Sequence, residues 1–446
     1  MEILYRTLEV INYIVIGICT LMFLFQFVMI LFFWLPEKHF KKSEEKHRAA
    51  IVICARNESS VIAETIRLFK EEQDYPADKL DIYVVADNCT DNTAELAEQA
   101  GAKVIVHNDP DPAHHRASYA IEYGLRKILE SGEKYDFFIR FDADNHANPG
   151  YVSYMNDAYC SGVEIARPFE NSTNPGQNAW ASVSAGYYVR DSKIACNFRE
   201  NFHLDSMLTG AGMMVSGKIV EEIGGWDAMG VSDDSEFTLN RLLENKRVHY
   251  VADAIVYEDQ PSTFKDTWNR ITRLGKGIHT LFWQKGFRLL GHFFKSGKWS
   301  NVDLFVQLLA IPVAVLVFCW FVPYYIFYII VNLLNAVGPV AGWMADVHTI
   351  QGVALTAEVS AANFLGDYGL IKMIVIVLGT YIVIYPLQTW LAIITSKKKM
   401  GLKSLKGWYK GIFASPLFMI FYSFAIFVGV FSKPKWKAVS RNPKTN

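Results

Sequence analysis

The six cysteines of this chain stand at positions 19, 54, 89, 160, 196 and 319, and no two form a CxxC pair. That scatter argues against a zinc ribbon or a disulfide framework and fits a main domain in the cytosol. Neither sign of charge is in excess. Lys and Arg number 44 against 45 Asp and Glu, a formal net charge of −1, so no global field draws the chain to nucleic acid. The first apolar run is too long for a signal peptide and lacks a small-residue cleavage site. What the chain does have is apolar sequence gathered in blocks. Hydrophobic residues make up 51% and mean hydropathy is +0.13. Residues 11–35, 304–334, 370–396 and 411–431 are almost uncharged. Each block is long enough to cross a bilayer core of about 30 Å, which takes about 20 helical residues.

Flanking charge sets an orientation. Glu2, Arg6 and Glu9 precede the first block, while Lys38, Lys41, Lys42, Lys46 and Arg48 follow it. The positive-inside rule puts the N-terminus outside and residue 38 onward in the cytosol. Lys397, Lys398 and Lys399 are also expected inside, in agreement with crossings at 304–334 and 370–396. A full crossing by 411–431 would place Lys433, Lys435, Lys437 and Arg441 outside, so that block reads as re-entrant or implies one more crossing. Residues 278–297 mix Phe282, Trp283, Phe287, Phe293 and Phe294 with Lys285, Arg288 and Lys295, an amphipathic basic pattern suited to a bilayer surface. The expected organisation is an N-terminal transmembrane helix (1–37), a cytosolic α/β domain (38–275), interfacial helices (276–300) and a C-terminal transmembrane region (301–446). That is a multi-pass protein of the cell membrane.

Between 49 and 144, Val/Ile/Phe-rich strands alternate with helical patterns: strands at 50–54, 81–86, 103–106 and 135–141, helices at 60–72, 93–99 and 116–130. Continuous apolar strands signal a mostly parallel sheet buried on both faces. Such sheets bind ligands beyond the carboxyl ends of their strands. Polar residues fall there: Arg56, Asn57 and Glu58 after the first strand, Asp87 and Asn88 after the second, Asp142 and Asp144 after the fourth. Any one of these is ordinarily a turn or capping residue, but three strand ends converge. On an extended strand Asp142 and Asp144 share a face, and two hard carboxylates suit Mg²⁺ or Mn²⁺ carrying a diphosphate.

Seven segments then stand in order: Cys54-Ala-Arg-Asn-Glu58, Val85-Ala-Asp-Asn-Cys-Thr-Asp91, Asp142-Ala-Asp144, Gly210-Ala-Gly-Met213, Gly224-Gly-Trp226, Ser232-Asp-Asp-Ser-Glu-Phe237 and Arg270-Ile-Thr-Arg-Leu-Gly-Lys-Gly277. In this order and spacing, residues 48–280 resemble the inverting family 2 glycosyltransferases of GT-A fold. The flanking blocks resemble the processive cellulose, hyaluronan and chitin synthases. The resemblance implies that Asn57, Glu58 and Asp87 hold the uridine of a UDP-sugar, that Asp142 and Asp144 hold the cation, with Asp144 the stronger ligand, and that Asp234 is the general base. It places Arg270 and Arg273 at the diphosphate, and Gly210, Gly212, Trp226, Asp233 and Trp268 on the acceptor side. Two positions depart from the family's QxxRW element: Arg270 replaces the Gln and Leu274 the Trp, for which Trp268 is a nearby substitute. The family's donor-site Lys has no clear counterpart, Arg116 being one residue out of register.

The expected activity is a processive inverting transferase that builds a β-linked polysaccharide, from UDP-glucose on priors, with β-1,3 or mixed linkage. It would export the growing glycan through its own helices, with Gln307, Trp320, Tyr324, Tyr325 and Tyr328 lining the route. It would act as a single polypeptide, oligomers being left open. The alternatives are a non-processive transferase adding one sugar to a lipid, a chitin- or hyaluronan-type synthase using UDP-GlcNAc, and a receptor that has lost catalysis. Intact Asp142, Asp144, Asp234 and Arg273 argue against the last.

Overall fold

The computed structural model describes residues 2–324, 326 and 368–432. It opens with α1 (Glu2–Leu31), an unbroken helix of 30 residues. The βα units follow as β1 (Ala49–Ala55), α2 (Ile62–Glu71), β2 (Leu80–Asp87), α3 (Thr93–Gln99), β3 (Lys103–His107), α4 (Ala117–Glu130) and β4 (Phe137–Asp142), within two residues of the sequence reading. Then come β5 (His146–Ala147), α5 (Tyr151–Cys160), β6 (Ile165–Ser172), α6 (Ala179–Arg190), a wide turn of π-helix over Asp191–Cys196 and α7 (Asn197–Asn201). The domain closes with β7 (Met213–Ser216), α8 (Gly217–Ile223), α9 (Asp233–Leu243), β8 (His249–Glu258) and α10 (Phe264–Leu281).

The strands form one sheet in the order β3-β2-β1-β4-β7-β6-β8-β5. β3, β2, β1 and β4 are parallel; β7 reverses beside β4, and β5 reverses beside β8. This is the mixed sheet of a GT-A-like α/β domain. Strand periodicity of two sorts side chains between two cores. Ile51, Ile53, Phe137, Ile139 and Phe141 face α2 and α5, while Val52, Val85 and Phe138 face α4 and α8. Arg140 and Asp142 share the parity of Phe138 and so emerge together on the second face. β4 stops at Asp142, where Asn145 Oδ1 accepts from Asp142 N at 3.0 Å and Asn145 N donates to Asp142 O at 3.1 Å. Asp144 therefore reaches the same opening from a tight turn, not from the extended strand that the sequence led us to expect.

Beyond the sheet lie α11 (Phe287–Ser296), α12 (Trp299–Leu316), α13 (Tyr368–Ser396) and α14 (Tyr409–Phe431). Helix α10 runs without a break across the expected boundary at 275/276. Among the described residues, two helices are long and apolar enough to cross a membrane, Trp299–Tyr324 and Tyr409–Phe431. The block at 411–431 is a single helix of 23 residues rather than a hairpin. It packs closely on the sheet domain where side chains are absent. A Cβ on Gly275 of α10 would lie 2.9 Å from the backbone of Ile426, one on Gly429 would lie 2.3 Å from Thr272 O, and one on Gly411 would lie 2.3 Å from Ser182 O. Tyr325 and Tyr328 lie outside the described residues.

Candidate active site

The carboxyl ends of β1, β2, β4 and β8 open into one cavity of about 720 Å³. Its floor carries Arg56, Glu58, Asp87, Arg116, Asp142, Asp144, Asp233, Asp234, Glu258 and Arg273. Asp87 is held in place by His107 Nδ1 at 2.8 Å and Asn88 Nδ2 at 2.6 Å. The loop after β1 is fastened to the loop after β2. Asn57 Oδ1 accepts from Thr90 N at 2.8 Å, and Glu58 N donates to Thr93 Oγ1 at 2.8 Å. Asn57 has a left-handed backbone (φ 57°) and a side chain committed to that clasp. It shapes the loop but does not line the cavity, as Glu58 and Asp87 do.

Charges in the floor sort into paired and unpaired. Arg140 is buried and donates through Nη1 to Asp233 Oδ2 at 2.5 Å. Arg270 is engaged by Glu258 at 2.9 Å, by Gln260 at 3.1 Å and by the Tyr188 hydroxyl at 2.8 Å. Two of the expected ligand contacts are thus engaged within the protein: Asp233 is the counter-ion of Arg140 and Arg270 is paired with Glu258, while both still line the cavity. The side chain of Arg273, one turn of α10 away from Arg270, makes no hydrogen bond or ion pair among the described residues, and the same is true of the Arg116 side chain. Burial, with Arg270 adding like charge, holds the Arg273 guanidinium below its usual range, though a guanidinium stays protonated. An enclosed cation with open donors is a seat for a multiply charged oxyanion.

Asp234 stands in the first turn of α9, with Ser235 N donating to its Oδ1 at 2.6 Å. Burial and the neighbouring Asp233 carboxylate push its pKa up to about 6. Gly210 borders it, its Cβ position lying 3.9 Å from both Asp234 Oδ2 and Arg140 Nη2, an ordinary contact distance. The other acceptor-side residues are elsewhere. Trp226 is 5% exposed and stacks on Phe237 at 4.1 Å within the core. Gly212 (φ 72°) receives the Tyr151 hydroxyl on its carbonyl and serves a turn. Trp268 packs with Phe264, Phe421 and Phe424 against α14 and is not part of the cavity wall.

The Asp142 carboxylate makes no hydrogen bond among the described residues, and burial pushes its pKa up. A buried carboxylate so placed, beside Asp144, fits a hard divalent cation such as Mg²⁺ or Mn²⁺. No group of three His, Cys, Asp or Glu side chains surrounds one point among the described residues. Two carboxylates would leave the other positions to diphosphate oxygens and water, which suits a small cation bound together with its phosphate.

Sequence reasoning missed Arg140 and Glu258. Arg140 left one signal, a lone cation inside an otherwise apolar strand two residues before Asp142. Glu258 ends a strand that carried no recognisable pattern.

The comparisons with known proteins agree with this geometry. Residues 137–341 match the family described as Glycosyl transferase family group 2. The chain is 25% identical over 319 residues to the probable glycosyltransferase YdaM of Bacillus subtilis, covering 69% of this chain and 70% of that protein. It is 22% identical over 242 residues to a beta-monoglucosyldiacylglycerol synthase of Synechocystis, covering 52% of this chain. The chain spans about half, 47%, of that synthase's length. In fold it is similar to the mannosyltransferase PcManGT of Pyrobaculum calidifontis, solved with GDP-Man and Mn²⁺, with a TM-score of 0.50 at 16% identity. That likeness covers 82% of this chain and 98% of the other. The chain is thus an enzyme of the glycosyltransferase class. More particularly, its match to the family 2 glycosyltransferases lies in residues 137–341, which hold Asp142, Asp144, Asp234 and Arg273.

Proposed function

We propose that the protein transfers one hexosyl group from a UDP-sugar to a hydroxyl of a membrane lipid, with inversion at the anomeric carbon. One observation carries this reading. The cavity does not end at the charged floor but continues to Met22, Met29 and Ile30 of α1, Ala310 and Ile311 of α12, and Ile426 of α14. A polar floor that opens onto aliphatic side chains suits an acceptor with a polar head and an apolar tail. The relatives named for diacylglycerol glucosylation support the same direction. The processive reading asked for a conduit of polar or aromatic groups. Of its candidates Gln307 lines the cavity, while Trp320 and Tyr324 stack on each other at 6.3 Å away from it.

In this mechanism Glu58 and Asp87 hold the base and ribose, and Arg273 and Arg116 meet the diphosphate. Asp142 and Asp144 would hold a divalent cation, which supplies further positive charge against the leaving diphosphate. The acceptor O–H lies over Asp234. Its oxygen bonds to the anomeric carbon as the bond from that carbon to the diphosphate oxygen breaks. That electron pair leaves with UDP, and the hydroxyl proton passes to Asp234. A carboxylate with its pKa near 6 is a stronger base than a free one and is still ionised at neutral pH.

The stripe of Trp283 (60% exposed), Phe287 (58%), Phe294 (83%) and Trp299 (67%) beside Lys285, Arg288 and Lys295 would rest on the bilayer surface and hold the cavity mouth against it.

Lipid-dependent turnover tests the reading. Purified enzyme given UDP-glucose in detergent should release UDP only slowly until bilayer lipids are added. Stimulation by soluble oligosaccharides and none by lipids would overturn it.

A further inference from the structure

Four arginines line the cavity wall between the charged floor and the apolar mouth: Arg167, Arg190, Arg199 and Arg270. Three are neutralised. Arg167 reaches Asp191 at 2.7 Å and Glu170 at 3.2 Å, Arg199 reaches Asp303 at 2.7 Å, and Arg270 reaches Glu258 at 2.9 Å. The side chain of Arg190, the last residue of α6, makes no hydrogen bond or ion pair among the described residues. Its neighbour Asp191 is already taken by Arg167. The Arg190 guanidinium lies 5.1 Å from the centre of the Tyr187 ring and 5.0 Å from that of Tyr385 on α13. Two aromatic faces can hold a guanidinium by its flat sides and leave its edge of N–H donors open. The same stretch of α13 turns Ile382 (60% exposed), Val383 (60%) and Leu387 (45%) outward. Among the described residues no carboxylate forms an ion pair with this guanidinium, although its charge adds to Arg167 in lowering the Asp191 pKa, and it stands in the cavity wall beside an apolar outer surface.

We infer that Arg190 receives a phosphate group of the acceptor lipid. The inference rests on the lipid-acceptor reading above and narrows it. A partly desolvated cation with no direct ion pair among the described residues is costly, and a phosphate from the bilayer would relieve that cost through two parallel N–H···O bonds. A neutral diacylglycerol brings no such group. The phosphate is not the nucleophile, because Asp234 is a base and needs an O–H to deprotonate. The acceptor is therefore a phosphodiester lipid whose head group carries a free hydroxyl.

The test compares wild type, Arg190→Gln and Arg190→Lys, each as the full chain in detergent micelles with UDP-glucose. The acceptors are phosphatidylglycerol and diacylglycerol. Wild type should favour phosphatidylglycerol by about 10-fold in kcat/KM, the scale of one charge-assisted contact. Arg190→Gln should erase that preference mainly through KM, and Arg190→Lys should restore part of it. Equal use of both lipids by wild type, or an equal loss on both in Arg190→Gln, would overturn the inference and leave the lipid reading standing. If soluble glycerol phosphate is glucosylated as well as phosphatidylglycerol, the phosphate belongs to a soluble ester and the lipid source is overturned. If neither lipid accepts sugar and a polymer forms, it is the underlying reading that fails.

Discussion

Arg140 Nη1 and Asp233 Oδ2 lie 2.5 Å apart, and this buried bond ties the strand that ends in Asp142 to the helix that carries Asp234. It fixes the two halves of the reaction relative to each other, the leaving-group side on β4 and the base on α9. Removing one partner leaves a buried charge uncompensated. Asp233→Ala and Arg140→Met should therefore each cost about 3 kcal/mol, whereas Arg140→Met combined with Asp233→Leu should cost less than either single change. Thermal unfolding of the three variants checks this, and a single variant as stable as wild type would refute the pairing. Activity should fall in all three, since the double variant restores packing without the alignment.

Asp234→Asn should lower kcat by at least about 100-fold while UDP affinity stays close to that of wild type. The wild-type acid limb of kcat/KM should fall near pH 6, because only the ionised carboxylate accepts the proton. The stability effect has the opposite sign. The folded state keeps this proton up to about pH 6, while the unfolded chain releases it near 3.8. Ionisation thus destabilises the fold as pH rises through that window, and Asp234→Asn should raise Tm at pH 7.5. An Asn variant with lower Tm and lost UDP binding would make Asp234 structural.

Chelation probes the acidic pair. EDTA should abolish transfer and Mn²⁺ or Mg²⁺ should restore it, whereas Asp144→Ala should stay inactive with either metal. The Asp144 variant should keep wild-type Tm, since its carboxylate lies in a turn beyond the strand end. Full turnover in EDTA would remove the cation from the mechanism.

The seam between α10 and α14 couples the apolar region to Arg273. Gly429→Ala would drive a methyl into Thr272 O, 2.3 Å from the ideal Cβ position, and Thr272 precedes Arg273. We expect a loss of about 1–3 kcal/mol from overpacking and a raised KM for the donor. Gly291→Ala is the control: nothing lies within 4 Å of its Cβ position, and helix propensity predicts a small gain. Equal effects at the two sites would dissolve the coupling.

The first half of the sheet was legible because each βα unit is local. Apolar runs, Gly101 and Gly132 mark β1 to β4 within two residues. The second half was not, because β6, β7 and β8 pair across long stretches and β7 is only four residues long. Single-residue roles followed the same divide. Asp87, Asp142 and Asp234 sit at strand or helix ends, Asp144 in the turn after β4 and Arg273 midway along α10, and all five line the cavity. Asp233 and Arg270 carry the same chemistry, yet partners distant in sequence, Arg140 and Glu258, consume it. Trp226 and Trp268 could not be told from core residues by sequence, and they pack as core residues do.

The identity of the product tests the central claim most directly. Enzyme reconstituted in vesicles with UDP-glucose should yield, by mass spectrometry of the organic extract, lipids heavier by a single hexose, matched one to one by released UDP. A water-insoluble glycan with many UDP released per acceptor, and no glycolipid, would contradict it.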